Sequence, residues 1–210
     1  MIIAIDGPTA SGKGTIAKAL AAHFGVPHLD TGLLYRAVGL QVARGGGDAD
    51  SESDAVAACA FPDTLLADPE LRLESTGDLA SRVSVHPLVR AALLDRQRAF
   101  AAQPGGAVLD GRDIGTVIAP HADAKLFVVA SAEARARRRL AELAGHGVAT
   151  SLASLTADIA GRDARDTGRG AAPLTCANDA DLLDTSDLVI EIAVQRAIAL
   201  VEARLSRRSQ

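Results

Sequence analysis

The sequence predicts an α/β fold built on a parallel sheet covered by helices on both faces. Three observations carry that prediction. Short apolar runs alternate with segments whose apolar residues recur at helical spacing, the runs show no polar face, and a glycine-rich turn joins the first run to the first helical segment. At 210 residues the chain suits a single domain, 1–210, with an inserted or lid-like part. It is 48% hydrophobic but has no Trp, one Tyr and four Phe, so Leu, Val, Ile and Ala must pack the core.

Residues 2–5, IIAI, read as a buried strand ending before Asp6. Ile16, Leu20 and Phe24 recur at four-residue intervals, which predicts a helix that Gly25 and Pro27 stop. VPHLD, 26–30, is a second short strand, and TGLLYRAVGLQVAR is a helix beginning near Thr31 or Gly32. GGGDAD, 45–50, is a loop. From 51 to 100 the chain is helical or irregular, with two helical pieces that carry Pro near a beginning. Strands return at 107–112 and 124–130, and an Arg-rich helical region fills 131–170. DLVIEI, 187–192, reads as the last strand, followed by the helix VQRAIALVEARL.

The formal net charge of −4 and the scarcity of aromatics argue against a nucleic-acid binder, which needs a basic track or stacking platforms. Any anion must be met locally. Cys59 and Cys176 have no C-x-x-C spacing, so the expectation is two buried thiols in a reducing compartment, with no zinc site or disulfide framework. No basic segment leads into a long apolar stretch, and no apolar run approaches the roughly 18 residues of a membrane span. A soluble cytoplasmic protein is expected.

The run Gly7-Pro8-Thr9-Ala10-Ser11-Gly12-Lys13-Gly14-Thr15 matches G-x-x-x-x-G-K between a strand and a helix. Small residues there let backbone N–H groups turn inward around a phosphate, the helix presents its positive end, and Lys13 reaches the β/γ oxygens. Gly14 lacks the hydroxyl that usually follows the Lys, so Mg²⁺ coordination stays open between phosphates, water, Ser11 and an acidic side chain.

Three further clusters break the packing pattern. In DTGLLYR, Thr31 and Tyr35 lie one helical turn apart and can face one site with Arg36 at its edge, although Tyr35 could equally be a core aromatic. In LDGRDIGT, Arg112 and Asp113 follow an apolar strand, where α/β sheets keep their ligands. Arg112 offers a phosphate fork, and Asp113 can accept from an amino group or orient Arg112; a surface ion pair is the plain alternative. In GRDARDTGR, Arg162, Asp166 and Arg169 share a helix face with Arg165 nearby, as a solvated surface or as a lid closing over phosphates. Arg135, Arg138 and Arg139 could touch a nucleotide or merely flank that lid.

GPTASGKGT, LDTGLLYR, LDGRDIGT and RDARDTGR, in this order and at these separations, resemble the bacterial cytidylate kinase family along nearly the whole chain. The resemblance implies the P-loop nucleoside monophosphate kinase fold: a five-stranded parallel sheet flanked by helices, a monophosphate-binding region at 31–100 and a helical lid at 131–170. It implies transfer of the γ-phosphoryl group of ATP to CMP or dCMP with Mg²⁺, usually by a cytoplasmic monomer. Residues 7–15 would cradle the ATP phosphates, while Thr31, Tyr35 and Arg36 would contact the monophosphate. Arg90 would reach the CMP phosphate or base region, and Arg112 with Asp113 would recognise cytosine. Arg162 and Arg169 would clamp phosphate and Asp166 would bind the sugar hydroxyls. The stretch 61–72 is too short for the β-hairpin of longer members, so the insert should be smaller, with Arg72 as the retained arginine and Leu73 and Ser75 departing from the pattern. Phosphoryl transfer between two phosphates needs alignment and neutralisation rather than a strong base, a task for Lys13, Arg112, Arg162 and Arg169.

Overall fold

In the computed structural model, which describes residues 1–145 and 148–208, the strands are β1 (Ile2–Asp6), β2 (His28–Asp30), β3 (Ala107–Gly111), β4 (Ala124–Val129) and β5 (Asp181–Asp184). The helices are α1 (Lys13–Phe24), α2 (Gly32–Arg44), α3 (Glu52–Ala57), α4 (Glu74–Val83), α5 (Pro87–Ala101), α6 (Ala132–Gly145), α7 (Leu152–Gly168) and α8 (Ile190–Arg208). Among the described residues the strands form one sheet in the order β2-β3-β1-β4-β5. Every pairing is parallel, with Asp6 beside Gly111, Asp30 beside Asp110 and Val129 beside Asp184. All five strands therefore end on one rim, the place where open α/β sheets bind ligands.

Alternation of side chains explains the two-sided core. Ile3 and Ile5 point to the face covered by α1 and α8, where they pack with Ile16, Leu20, Ala197 and Val201. Ala4 and Leu109 point to the other face, against Ala101, Ile114 and Ile118. A separate apolar cluster holds the helical region after β2, built on Leu34, Val38, Leu71, Val83 and Leu93. Between β2 and β3 the chain has no hairpin: two 3₁₀ turns, Asp63–Ala67 and Pro69–Arg72, bury Leu65 and Leu71 instead. α6 and α7 pack on each other through Ala136, Leu155 and Ile159. No helix among the described residues is long and apolar enough to cross a membrane.

The last strand differs from the sequence reading. It lies at 181–184, not 187–192, and Ile190 and Ile192 belong to the first turn of α8. The β-branched run suggested a strand, but Ala193, Ala197 and Val201 recur at four-residue spacing and are buried, so the helical period prevails. β5 itself is DLLD, with only Leu183 buried, too polar to stand out. The thiols also differ: Cys59 is half-buried and Cys176 exposed. Arg72 is exposed as well.

α2 and α4 approach so closely that a Cβ on Gly39 would lie 2.7 Å from Leu79 Cβ and 3.0 Å from its carbonyl carbon. Those are fixed atoms, so Gly39→Ala must push the helices apart. The variant should lose about 1–3 kcal/mol in urea unfolding despite its better helix propensity. Leu79→Ala in the same chain keeps both of those atoms and should not recover the loss, which a double-mutant cycle would measure.

Candidate active site

The site grows from the end of β1. Asp6 is buried and accepts 2.8 Å hydrogen bonds from the N–H groups of both Ile114 and Gly115, fixing the root of the glycine loop to the segment after β3. Burial pushes its carboxyl up to about 6 in spite of those two donors. Gly7 is required by contact: a Cβ there would sit 2.0 Å from Val128 O. Ala10 and Gly12 take left-handed φ values of 57° and 90°, and such turns aim successive N–H groups into one concavity. α1 then starts with no side-chain cap and no acid in its first turn, so its positive end is available to an anion. Residues 9–15 line a cavity of about 690 Å³.

Lys13 Nζ donates to Pro8 O at 3.3 Å within that cavity. Burial, followed by the charge of Arg112, pulls its ammonium down to about 8, against the opposing pull of Asp110 and Asp30. Those two aspartates are paired in register on neighbouring strands, and desolvation followed by Asp110 pushes the Asp30 carboxyl up. Asp110 Oδ1 meets His28 Nε2 at 2.6 Å. Its Oδ2 lies 3.8 Å from where a Cβ on Gly14 would be, so the missing hydroxyl faces a carboxylate.

A second, smaller cavity of about 100 Å³ contains every acceptor-side residue read from the sequence: Thr31, Tyr35, Arg36, Arg90, Arg112, Asp113, Arg162, Asp166 and Arg169. Thr31 ties the start of α2 to β3 by donating its hydroxyl and its N–H to Asp110 O at 2.9 and 3.0 Å. Gly111 permits this, since a Cβ there would lie 2.5 Å from Thr31 Oγ1. Tyr35 fills both roles left open for it: it belongs to the apolar cluster and walls the cavity, with the Arg90 guanidinium 5.4 Å from its ring centroid.

The acids pair differently from the sequence reading. Asp113 does not orient Arg112; it receives Arg90 at 2.5 Å and faces Arg169 at 3.8 Å. Arg112 instead binds Asp166 of α7 at 2.6 Å. Burial opposes ionisation of Asp166, yet Arg112, Arg169 and Lys13 together hold its carboxyl below the usual range. Burial lowers Arg36, Arg162 and Arg169, and an arginine neighbour lowers each further. Arg169 also has a buried Nη2 without a hydrogen-bond partner. Five arginines against two aspartates leave this cavity with excess positive charge, the setting for an anionic ligand.

The two cavities share Thr9, Arg36 and Arg162 in their walls. Gly77 of α4 makes room for that meeting, because a Cβ there would lie 2.4 Å from Arg162 Nη2 and 2.8 Å from Arg36 Nη2. The arm formed by α6 and α7 is drawn over the rim by ion pairs. Arg162 meets Glu74 at 3.1 Å, Arg165 meets Asp78 at 2.8 Å, and Arg139 also pairs with Glu74. Of the three α6 arginines left open, Arg138 and Arg139 line the larger cavity. Arg135 is buried behind it, in a two-pronged pair with Asp163 at 2.6 and 3.0 Å.

Sequence reasoning missed several residues. Asp110 had a signal, an acid closing an apolar strand beside the loop. The apolar end of the larger cavity, Leu155, Ile159, Leu188, Ile190 and Ala193, had none, because it joins α7 to α8 across β5. Glu74 and Gly77 likewise act through tertiary contact.

A parallel sheet with a glycine loop at its rim, two joined anion-seeking cavities and an arginine-bearing arm define a P-loop kinase. The family model for cytidylate kinase matches residues 3–203. A curated cytidylate kinase of Xanthobacter autotrophicus is 57% identical over 99% of this chain and 100% of its own. One from Caulobacter vibrioides is 54% identical over 98% and 97%. The chain belongs to the cytidylate kinase family. A crystal structure of an uncharacterized protein from Eubacterium ventriosum shares the fold, with a TM-score of 0.57 at 13% identity over 97% of this chain and 99% of that one.

Because burial and Arg112 pull the Lys13 ammonium down to about 8 and a bound polyanion favours its charged form, anion affinity should fall relative to that of Lys13→Arg as pH rises through about 8. Calorimetric titration with inorganic triphosphate between pH 6 and 10 would read this. Lys13→Arg, which stays charged throughout, should flatten the fall.

Proposed function

We propose that the chain transfers the γ-phosphoryl group of ATP to CMP or dCMP, giving ADP and CDP or dCDP. The observation that carries this reading is the shared wall: a cavity floored by the glycine loop has Thr9, Arg36 and Arg162 in common with a cavity ringed by five arginines. A triphosphate on the loop and a monophosphate among the arginines would meet there end to end. A phosphate oxygen of the acceptor attacks the γ-phosphorus as the bond to the β-phosphate oxygen breaks, and ADP leaves. No strong base is needed, because the attacking oxygen is already ionised.

Each side chain then has a task. The loop amides and Lys13 hold the β- and γ-phosphates, and the apolar end by Leu188 and Ile190 receives the base of the donor. Arg36 and Arg162 balance charge on the transferring group from the shared wall, with Arg169 closing from the acceptor side. Arg112 and Asp113 face the cytosine and Asp166 the sugar, while Arg90, braced by Asp113, reaches the acceptor phosphate. Residues 31–100 serve as the monophosphate-binding region, reduced by the loss of a hairpin. Residues 131–170 serve as the lid, which excludes water that would otherwise take the phosphoryl group.

Mg²⁺ fits the donor set. Asp30 and Asp110 stand side by side next to Lys13. Carboxylates such as these would hold the ion through one or two oxygens, with water and phosphate oxygens as the remaining ligands. When bound it would supply charge neutralisation to the donor phosphates.

Coupled assays across CMP, dCMP, UMP, AMP, GMP and shikimate should show turnover with the cytidine nucleotides above all others; preference for another acceptor overturns the assignment. Lys13→Ala should keep the fold and lower kcat about 10²- to 10³-fold, as loss of one preorganised donor does. Arg112→Ala should raise KM for CMP far more than it weakens ATP binding, and equal losses on both sides would remove Arg112 from the acceptor.

A further inference from the structure

Glu74 is the first residue of α4, where a carboxylate is favoured by the helix dipole, and it is 39% exposed. Its side chain lines the larger cavity beside the glycine loop. One carboxylate oxygen takes Arg139 of α6, and the other takes Arg162 of α7 at 3.1 Å. It also acts on the charge of Arg36 across the shared wall. Both guanidiniums that it engages line the same cavity, and one of them borders the acceptor side too. A carboxylate in this position does two opposing things. It draws α6 and α7 onto α4, and it spends on itself the charge that a polyphosphate would otherwise receive.

We propose that Glu74 is a positioning residue that competes with the nucleotide phosphates for Arg139 and Arg162, weakening donor binding while it holds the arm in register over the loop. The inference rests on the reading that the larger cavity receives the triphosphate. Asp78, one turn further along α4, supplies the contrast: its ion pair with Arg165, at 2.8 Å, draws α7 to α4 as well, but neither residue lines the larger cavity. A carboxylate that only fastened the arm would give the same result at both positions. Of the two α4 positions, a competitor would act chiefly from 74; Glu142 of α6 also lines the cavity and takes Arg139 at 2.7 Å, but Glu74 pairs with both Arg139 and Arg162.

The test measures binding of β,γ-imido-ATP with Mg²⁺, without CMP, to the full chain by calorimetry. Loss of binding in Lys13→Ala establishes the cavity as the donor site; binding that survives this change overturns the donor reading and the inference with it. With the donor site established, Glu74→Gln should tighten the analogue about fivefold, the scale of one partly exposed opposing charge, while Asp78→Asn leaves it unchanged. Glu74→Ala should move it in the same direction, so the result does not hinge on how the amide is accommodated. Unchanged or weaker binding in both Glu74 variants overturns the proposal, as does equal tightening in Asp78→Asn.

Discussion

Like-charge crowding is the constraint from which the rest of the structure follows. Two unit charges about 4 Å apart interact by about 4 kcal/mol in surroundings of intermediate dielectric, so five guanidiniums round one small cavity cannot be left unanswered. The answer is spread over the fold. Asp113 follows β3 and stands between Arg90 of α5 and Arg169 beyond α7, while Asp166 of α7 reaches back to Arg112 on the sheet rim. Since each acid comes from a different element than its main partner, neutralising the arginines also fixes where those elements sit. The compensation is partial, and the remaining positive charge is what a nucleotide recognises.

Such pairing works only if the rim is rigid. Asp6 holds the backbone of Ile114 and Gly115, and Thr31 holds the end of β3, so three strand ends and the start of α2 share hydrogen bonds. The glycine loop is set on that base with the non-glycine Ala10 in the left-handed region, a cost that persists where the surrounding structure over-determines the turn. Two glycines relieve close contacts around the site: Gly7 under Val128 and Gly77 beneath Arg36 and Arg162.

How much of this could be read in the chain depends on the range of the interaction. The strand–turn–helix at 2–24 and the apolar strands of β3 and β4 are local patterns, and their positions agree with the sequence to within a residue or so. The nine acceptor-side residues come from α2, α5, the segment after β3 and the α7 arm, and all nine line one cavity; local spacing pointed to most of them and resemblance to Arg90. What spacing could not supply was pairing. Asp113 stands next to Arg112 in sequence, yet its charge goes to Arg90, because consecutive residues at the end of a strand point in different directions. β5 was misplaced for a related reason. A largely exposed, polar strand with one buried residue carries less signal than an apolar stretch that turns out to open a helix.

That same polar strand has a bearing on how the molecule behaves in a crowded solution. β5 forms one border of the sheet, with its outer backbone free to template another chain, and Leu182 on it is 63% exposed. Aspartates begin and end it, and Arg204 of α8 grips Asp181 with two hydrogen bonds of 2.6 and 2.9 Å. At the opposite border β2 is only three residues long. A short margin on one side and a charged one on the other give stray strands little to add to, so the sheet is protected from edge-to-edge aggregation by the very composition that made β5 hard to see.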